Sequence, residues 1–520
     1  MPGPGVAEPE GRPPGPGEAR LLARGALLQQ VAQGSGLGVL LVVVTLLARR
    51  LSVPELGAYG LVASLAGYLL VFRNSVSSSA VRAMAAAVDP GERGRMFSAA
   101  AAMYAAVGLV TGLLIVLAGL AIAGGILSGD LARESRIGAV GLGAIMAAGL
   151  ASTVYLDALR AERMLVRAPA LEIAGVALHL GVMLALILSD ASLGAIIALS
   201  GGMPLMSGLL SALTVVRLRL PFSFDRSAVT GERMRQLAPV AGWLMVVELS
   251  NLVIYAFGRI ILGALHSPAT VGRYEGPVRA HNLLYALVGA LAVPTVPTAS
   301  RYTATGDRHR LRELALRGSR YTLALIVPVC VVLIALAEPI LEVWLGERYG
   351  AGAGALSILS SYWLLYAALL VTPGFLVGAG RARELARVVA VVAVANLALT
   401  LALTPELGLE GPALGTAIPF ALAFPLLLRL ALGVSGLSLG ELARQAWFPA
   451  YTTGAVLAAG LVALRLAAEP DSLGAVLAAA ACGLLAYWIA FYLVWLRRDE
   501  RELVRGLGRL RPAPARPGPR

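Results

Sequence analysis

Apolar runs long enough to cross a membrane recur along the whole chain, separated by short polar segments. About 20 apolar helical residues cross the roughly 30 Å of bilayer hydrocarbon, and on that ruler the pattern predicts fourteen spans. The first six cover 26–48, 56–80, 97–127, 137–158, 168–189 and 192–216. The next six cover 237–263, 271–298, 320–342, 353–378, 385–404 and 411–432, and two more follow at 446–466 and 473–496. A helix satisfies its own backbone in lipid and an open sheet does not, so the expected fold is an all-α polytopic membrane protein.

The polar interruption RLRLPFSFDRSAVTGERMRQ (217–236) divides the first twelve spans six and six. The expected organisation is a Pro/Gly-rich disordered tail at 1–25, an N-lobe at 26–216, a linker at 217–236 and a C-lobe at 237–432. Two further spans occupy 433–496, and a basic tail occupies 497–520. The lobes echo each other: LSVPELGAYGLVASL (51–65) and HSPATVGRYEGPVRA (266–280) each place a Pro shortly before Gly-x-Tyr, Gly57–Tyr59 against Gly272–Tyr274. The same offset sets Gln33 opposite Glu248, and His179 and Asn396 fall at matching depth in spans five and eleven. Six spans is an even number, so the repeats share one orientation, as in transporters whose halves enclose a midplane cavity.

Composition agrees: 58% of the 520 residues are hydrophobic and only 14% are charged. A net charge of +13 would suit nucleic acid in a soluble chain, but in a membrane chain it marks loops retained on the cytoplasmic side. All 43 basic Lys/Arg positions are arginine. With the N-terminus inside, the inner loops between spans hold 22 arginines and the outer loops seven, which predicts both termini on the cytoplasmic side. The Arg49–Arg50 pair runs against this bias. Cys330 and Cys482 both lie in apolar runs and form no metal cluster or disulfide framework.

Several spans carry polar groups that lipid does not tolerate. In VVELSNLVIYAFGRIILGAL (246–265), Glu248, Asn251, Tyr255 and Arg259 share one stripe, the first and last about 20° apart around the helix. A charge at mid-bilayer costs roughly 2.5–3.5 kcal/mol on insertion scales, so this stripe must face protein or water. Span eight puts Glu275, Arg279 and Asn282 on one face, with Glu275 and Arg279 spaced for an ion pair and Tyr285 beside them. Span two contributes Arg73, and span one contributes Gln29 and Gln33 on a shared face. Asp157 and Arg160 are expected to form a surface pair, while Glu172 and His179, seven apart, would point together into the N-lobe.

The phrases LSVPELGAYGLV, AVPTVPTASRY (292–302), EVWLGERYG (342–350) and GLEGPALGTAIP (408–419) carry a family likeness. Over residues 25–495 the chain resembles the O-antigen and teichuronic-acid flippases of the multidrug/oligosaccharidyl-lipid/polysaccharide superfamily, relatives of the lipid II flippases. The resemblance implies two six-helix lobes around a cavity lined by spans one, two, seven and eight, opening to alternate sides. It also implies a polyprenyl-pyrophosphate-linked oligosaccharide as cargo, membrane lipids and other polysaccharide biosynthesis proteins as partners, and no nucleic acid.

Forked, permanently charged arginines suit phosphate oxygens, while Gln, Asn and Tyr suit sugar hydroxyls. The expected cargo contacts are therefore Arg73, Arg259, Arg279, Gln29, Gln33, Asn251, Tyr255 and Asn282. Glu248 and Glu275 are the candidates for coupling to H⁺ or Na⁺, and no other cofactor is expected. A multidrug cation antiporter of the same superfamily is the nearest alternative. An integral-membrane polymerase or transferase is a further one, disfavoured because the chain has no large loop and no HExxH or GxxxxGK motif.

Overall fold

The motif SVP at 52–54 begins a helix because its residues meet the needs of a helix start. Ser52 Oγ accepts from the Glu55 amide, and Glu55 Oε2 accepts from the Ser52 amide at 2.7 Å, so two otherwise orphaned donors are satisfied reciprocally. Exactly 215 residues later in the sequence count, Ser267 accepts from the Thr270 amide at 3.3 Å and Pro268 opens the next helix. Tyr59 and Tyr274, at the same offset, are both buried. The repeat read from the sequence is thus a shared device for starting a helix and anchoring its first turns.

The computed structural model describes residues 16–87, 89–237, 242–292, 295–369, 371–468, 470–496 and 500–502. The described chain is helical, with no strand among the described residues. Two compact units are separated near residue 242. The first contains α1 (Pro16–Arg50), α2 (Val53–Ala86), α3 (Pro90–Gly125), α4 (Gly129–Ser152), α5 (Val154–Ala161), α6 (Arg167–Leu188), α7 (Leu193–Leu199), α8 (Met203–Arg217) and α9 (Gly231–Leu237). The second begins with α10 (Gly242–Leu265), α11 (Pro268–Ala292), α12 (Thr295–Ala304), α13 (Arg308–Ala335), α14 (Ala337–Leu345) and α15 (Ala353–Tyr366). It continues with α16 (Val371–Gly378), α17 (Ala382–Leu407), α18 (Glu410–Ser435), α19 (Leu439–Leu442), α20 (Phe448–Ala468) and α21 (Leu473–Val494).

Among the described residues, every expected span falls on a helix or a broken helix. Eleven helical stretches among the described residues are long and apolar enough to cross a membrane, and α7 with α8, bent by 51°, makes a twelfth. Expected spans two and eight are α2 and α11, which at 34 and 25 residues are long enough but carry the polar groups discussed below. The tail expected at 1–25 differs from the structure: α1 starts at Pro16, where helix-forming Ala, Leu and Arg follow a proline suited to the first turn. Residues 1–15 and most of 497–520 lie outside the described ones. Arg50, the exception to the arginine bias, meets Asp190 at 3.0 Å.

Small residues set the packing of the first unit. A Cβ on Gly112 would come within 2.5 Å of the Gly143 carbonyl oxygen, and one on Gly108 within 2.6 Å of that of Ala147. Close backbone approach of this kind is how apolar helices associate in lipid, where no hydrophobic force separates helix from tail. In the second unit, Gly411 and Gly415 of α18 lie against Thr404 and Thr400 of α17 in the same manner. The last two helices, α20 and α21, pack on α13. There Trp488 Nε1 donates to the Ala324 carbonyl at 3.1 Å, and Trp495 Nε1 to Thr453 Oγ1 of α20 at 3.0 Å.

Candidate functional site

The second unit buries an arginine–glutamate–arginine triad. A two-residue turn, His266 and Ser267, joins α10 to α11 and brings the end of the α10 stripe to the start of the α11 face. Arg259 Nε approaches Glu275 Oε1 to 2.9 Å, as an ion pair not aligned for a hydrogen bond. Arg279 reaches the other oxygen twice, Nη2 at 2.9 Å and Nε at 3.0 Å to Oε2. The side chains of Arg259, Glu275 and Arg279 are 2%, 0% and 8% exposed. Taking a carboxylate and a guanidinium out of water carries a penalty of several kcal/mol per ion, offset only when geometry and pairing are good. Two guanidiniums on one carboxylate leave a formal charge of +1 in this buried cluster.

An aromatic and polar wall lies beside the triad. His281 Nε2 and Tyr362 Oη are 2.5 Å apart, and the Tyr362 hydroxyl is also hydrogen-bonded to Tyr255. The Tyr255 ring lies 5.1 Å from that of Tyr285 and 5.5 Å from His281. Trp363 stands 5.8 Å from His281, and Phe420 of α18 stacks on Tyr362 at 5.2 Å and 10°. Helix α15 packs against both α11 and α18, which holds these rings together. Tyr285 keeps an exposed face, and Asn251, Tyr255 and Asn282 are half-buried. Glu248 is half-buried near Tyr285 and makes no ion pair or hydrogen bond among the described residues.

The structure redistributes the expected contacts. The Glu275–Arg279 pair forms as the spacing predicts. Arg259 pairs with Glu275 and not with Glu248, although it shares Glu248's stripe: eleven residues at 1.5 Å rise put those two about 16 Å apart along the helix. Both oxygens of Glu275 are held by guanidiniums, whereas Glu248 makes no ion pair among the described residues. His281, Tyr362, Trp363, Tyr366 and Phe420 were not among the expected residues. The spacing of Tyr362, Trp363 and Tyr366 in YWLLY, and His281 next to Asn282, were the available signals.

The first unit contains a different polar chain. Tyr104 of α3 donates to Asp157 of α5, Asp157 Oδ1 meets Arg160 Nη1 at 2.9 Å, and Arg160 Nη2 meets Glu172 Oε2 of α6 at 2.8 Å. Gln29 Nε2 of α1 reaches the same Glu172 oxygen at 3.5 Å. Asp157 is fully buried, which corrects the expected surface pair: α5 is a short amphipathic helix turned so that its acid faces Tyr104. Glu172 turns to Arg160 and not to His179, whose buried Nδ1 has no hydrogen-bond partner among the described residues. Arg73 is half-buried within electrostatic reach of Tyr104, and its buried Nε has no hydrogen-bond partner among the described residues. Gln33 lies on α1 with its side chain outside the described ones.

Comparison with known proteins gives a consistent picture. Residues 46–352 match the family described as Polysaccharide biosynthesis protein. The uncharacterized membrane protein EpsK of Bacillus subtilis (strain 168) is 25% identical over 203 residues, which is 39% of this chain and 40% of that relative's length. Among solved structures, the lipid II flippase MurJ in an inward closed conformation superposes with a TM-score of 0.69 at 15% identity, over 92% of this chain and 100% of that one. An inward-facing multidrug resistance MATE family transporter of the MOP superfamily gives 0.63 at 16% identity, over 79% of this chain and 98% of that one. At these identities the structural likeness establishes the fold.

Proposed function

We propose, for a chain that belongs to the polysaccharide biosynthesis protein family, that it translocates a polyprenyl-pyrophosphate-linked oligosaccharide across a bacterial cytoplasmic membrane by alternating access. The fold is that of a lipid II flippase and of multidrug transporters, all multi-pass membrane proteins. The single observation supporting an anionic cargo is the buried Arg259–Glu275–Arg279 cluster with its surplus positive charge. Arg279, at 8% the most exposed of the three side chains, is the guanidinium offered to a headgroup. Arg259 and Glu275 position it. Guanidinium forks bind phosphate oxygens bidentately, with specificity that a point charge lacks.

The neighbouring wall suits the sugar. Asn251, Asn282 and the Tyr255 hydroxyl offer hydrogen bonds, and Tyr285 offers a ring face. Gln29 and Arg73, with Gln33, are assigned to the same cargo from the first unit. Glu248 is the acid assigned to coupling with H⁺ or Na⁺. Both termini are placed on the cytoplasmic side, following the arginine distribution.

The test uses inside-out vesicles with and without the protein, following lumenal protection of the labelled lipid-linked glycan. Protein-dependent protection is expected; its absence, with glycan present, overturns the reading. One observation favours a second reading. Glu248 near Tyr285, with Tyr255 beside it, is an acid and two aromatic faces of the kind that hold organic cations. Export of a cationic dye blocked by Glu248→Gln, with no glycan protection, would establish that reading instead.

A further inference from the structure

On the arginine-rich side of the second unit, away from the triad, a cleft of about 800 Å³ opens among three connections. These are the α12–α13 turn, the α16–α17 turn and the end of α18. Each connection turns on a glycine in the left-handed region: Gly306 at φ 67°, Gly380 at 75° and Gly436 at 69°. A residue with a Cβ rarely adopts that backbone, and a Cβ at any of the three would have no atom within 4 Å. The three turns therefore close their helices tightly and leave the space between them open.

The charged side chains that line this space are all basic. Arg308, Arg312 and Arg381 face it, with the imidazole of His309 beside them, and no carboxylate among the described residues lines it. Arg381 is held by both oxygens of Glu384 at 2.6 Å, and Arg312 by Glu441. Those carboxylates fix two guanidiniums in place without occupying the cleft. Arg308 and His309 make no ion pair among the described residues, whereas the neighbouring Arg310 and Arg317 are paired with Asp307 and Glu313. Solvent-filled concavities lined by one sign of charge concentrate ions of the opposite sign. The volume lies within the usual range of small-ligand sites, about 300–1,000 Å³, and exceeds what a lone phosphate needs.

We propose that this cleft binds a phosphate-ester or diphosphate group, with Arg308 and His309 as its free donors and Arg312 and Arg381 as its fixed wall. The site is separate from the triad and does not depend on the cargo reading. The group reaches it either as a soluble phosphate compound or as the headgroup of a lipid at the membrane face, since the flanking helices α13, α17 and α18 are membrane spans.

The test is saturable binding of inorganic pyrophosphate to the purified full chain in uncharged detergent, followed by calorimetry at low salt. The same titration is run on Arg308→Gln/His309→Gln and on the control Arg136→Gln, which removes an exposed charge from the first unit. The expected result is at least a tenfold loss of affinity in the double variant and less than a twofold change in the control. A second arm replaces pyrophosphate with nanodiscs containing phosphatidylglycerol and measures retention of that lipid through purification. Loss of lipid retention in the double variant, with weak pyrophosphate binding to the parent, assigns the site to a lipid headgroup; the reverse assigns it to a soluble ligand. If the double variant binds both probes as the parent does, or the parent binds neither, the proposal is wrong. All three substitutions are at exposed positions.

Discussion

Glu275→Gln is the substitution that most sharply tests how the second unit tolerates its buried charges. The variant keeps the side-chain volume but removes the charge that balances two guanidiniums, each within 2.9 Å. Removing one partner of a buried pair costs about 3–5 kcal/mol, because the remaining charge is left uncompensated. Here two charges are left, of like sign, so the upper end applies. Domains of 150–250 residues lose roughly 2–4 °C of Tm per kcal/mol; the unit 243–520 is larger, so the lower slope gives a fall of about 10 °C. The assay is thermal unfolding in detergent, read by a fluorogenic thiol dye at buried Cys330, in a background where exposed Cys482 is serine. A second variant, Arg259→Met/Glu275→Leu/Arg279→Met, leaves no charge and is expected to unfold within about 3 °C of the parent, since apolar replacement of a buried ion cluster is often neutral. Unfolding of Glu275→Gln within about 2 °C of the parent would show that the loss of about 3–5 kcal/mol does not occur, and a triple variant as unstable as the single one would show that uncompensated charge is not its cause.

Tyr362→Phe removes the hydroxyl shared by His281 and Tyr255 and is expected to lower stability by about 1–3 kcal/mol, the usual range for an orphaned buried polar group, in the same thiol assay. Gly175→Ala would press its methyl to 2.6 Å from the Ser207 backbone; overpacking of about 1–3 kcal/mol follows. Size-exclusion recovery after heating should therefore fall for Gly175→Ala and not for Gly181→Ala, which has open space. In the 217–236 segment the Ser227 hydroxyl and amide hold the Asp225 carboxyl below the usual carboxylate range. This contribution is complete above the unfolded value near 3.9 and is lost as pH falls through the lower folded value. Carboxyl ¹³C NMR should show the Asp225 midpoint rise in Ser227→Ala.

The helices and two ion pairs, Glu275–Arg279 and Asp157–Arg160, were legible because each rests on a local rule. Apolar run length places the spans, and a spacing of four residues places Glu275 beside Arg279. The partner of Arg259 was not legible, since a stripe gives a direction around the helix and not which neighbouring helix meets it. Asp157 shows the same limit: its spacing to Arg160 is local, but its burial depends on Tyr104, 53 residues away. The ring cluster of His281, Tyr362, Trp363 and Phe420 was invisible for another reason. Aromatic residues within apolar spans look the same in sequence whether they face lipid, core or cargo. The basic cleft needs three turns brought together from positions 306, 380 and 436, and no periodicity connects them. The shared start of α2 and α11, by contrast, was visible as a repeat before its capping chemistry was known.

If the buried, positively charged cluster selects an anionic lipid-linked glycan, as proposed, removing its outermost guanidinium must remove that selection. The most direct measurement reconstitutes the protein in proteoliposomes and compares transport of one labelled glycan on a polyprenyl diphosphate and on a neutral lipid. The ratio of the two initial rates is recorded for the parent and for Arg279→Gln, so that any loss of folded protein cancels. A strong preference for the diphosphate is expected in the parent, falling at least tenfold in Arg279→Gln. An unchanged ratio in the variant, or no preference in the parent, would contradict it.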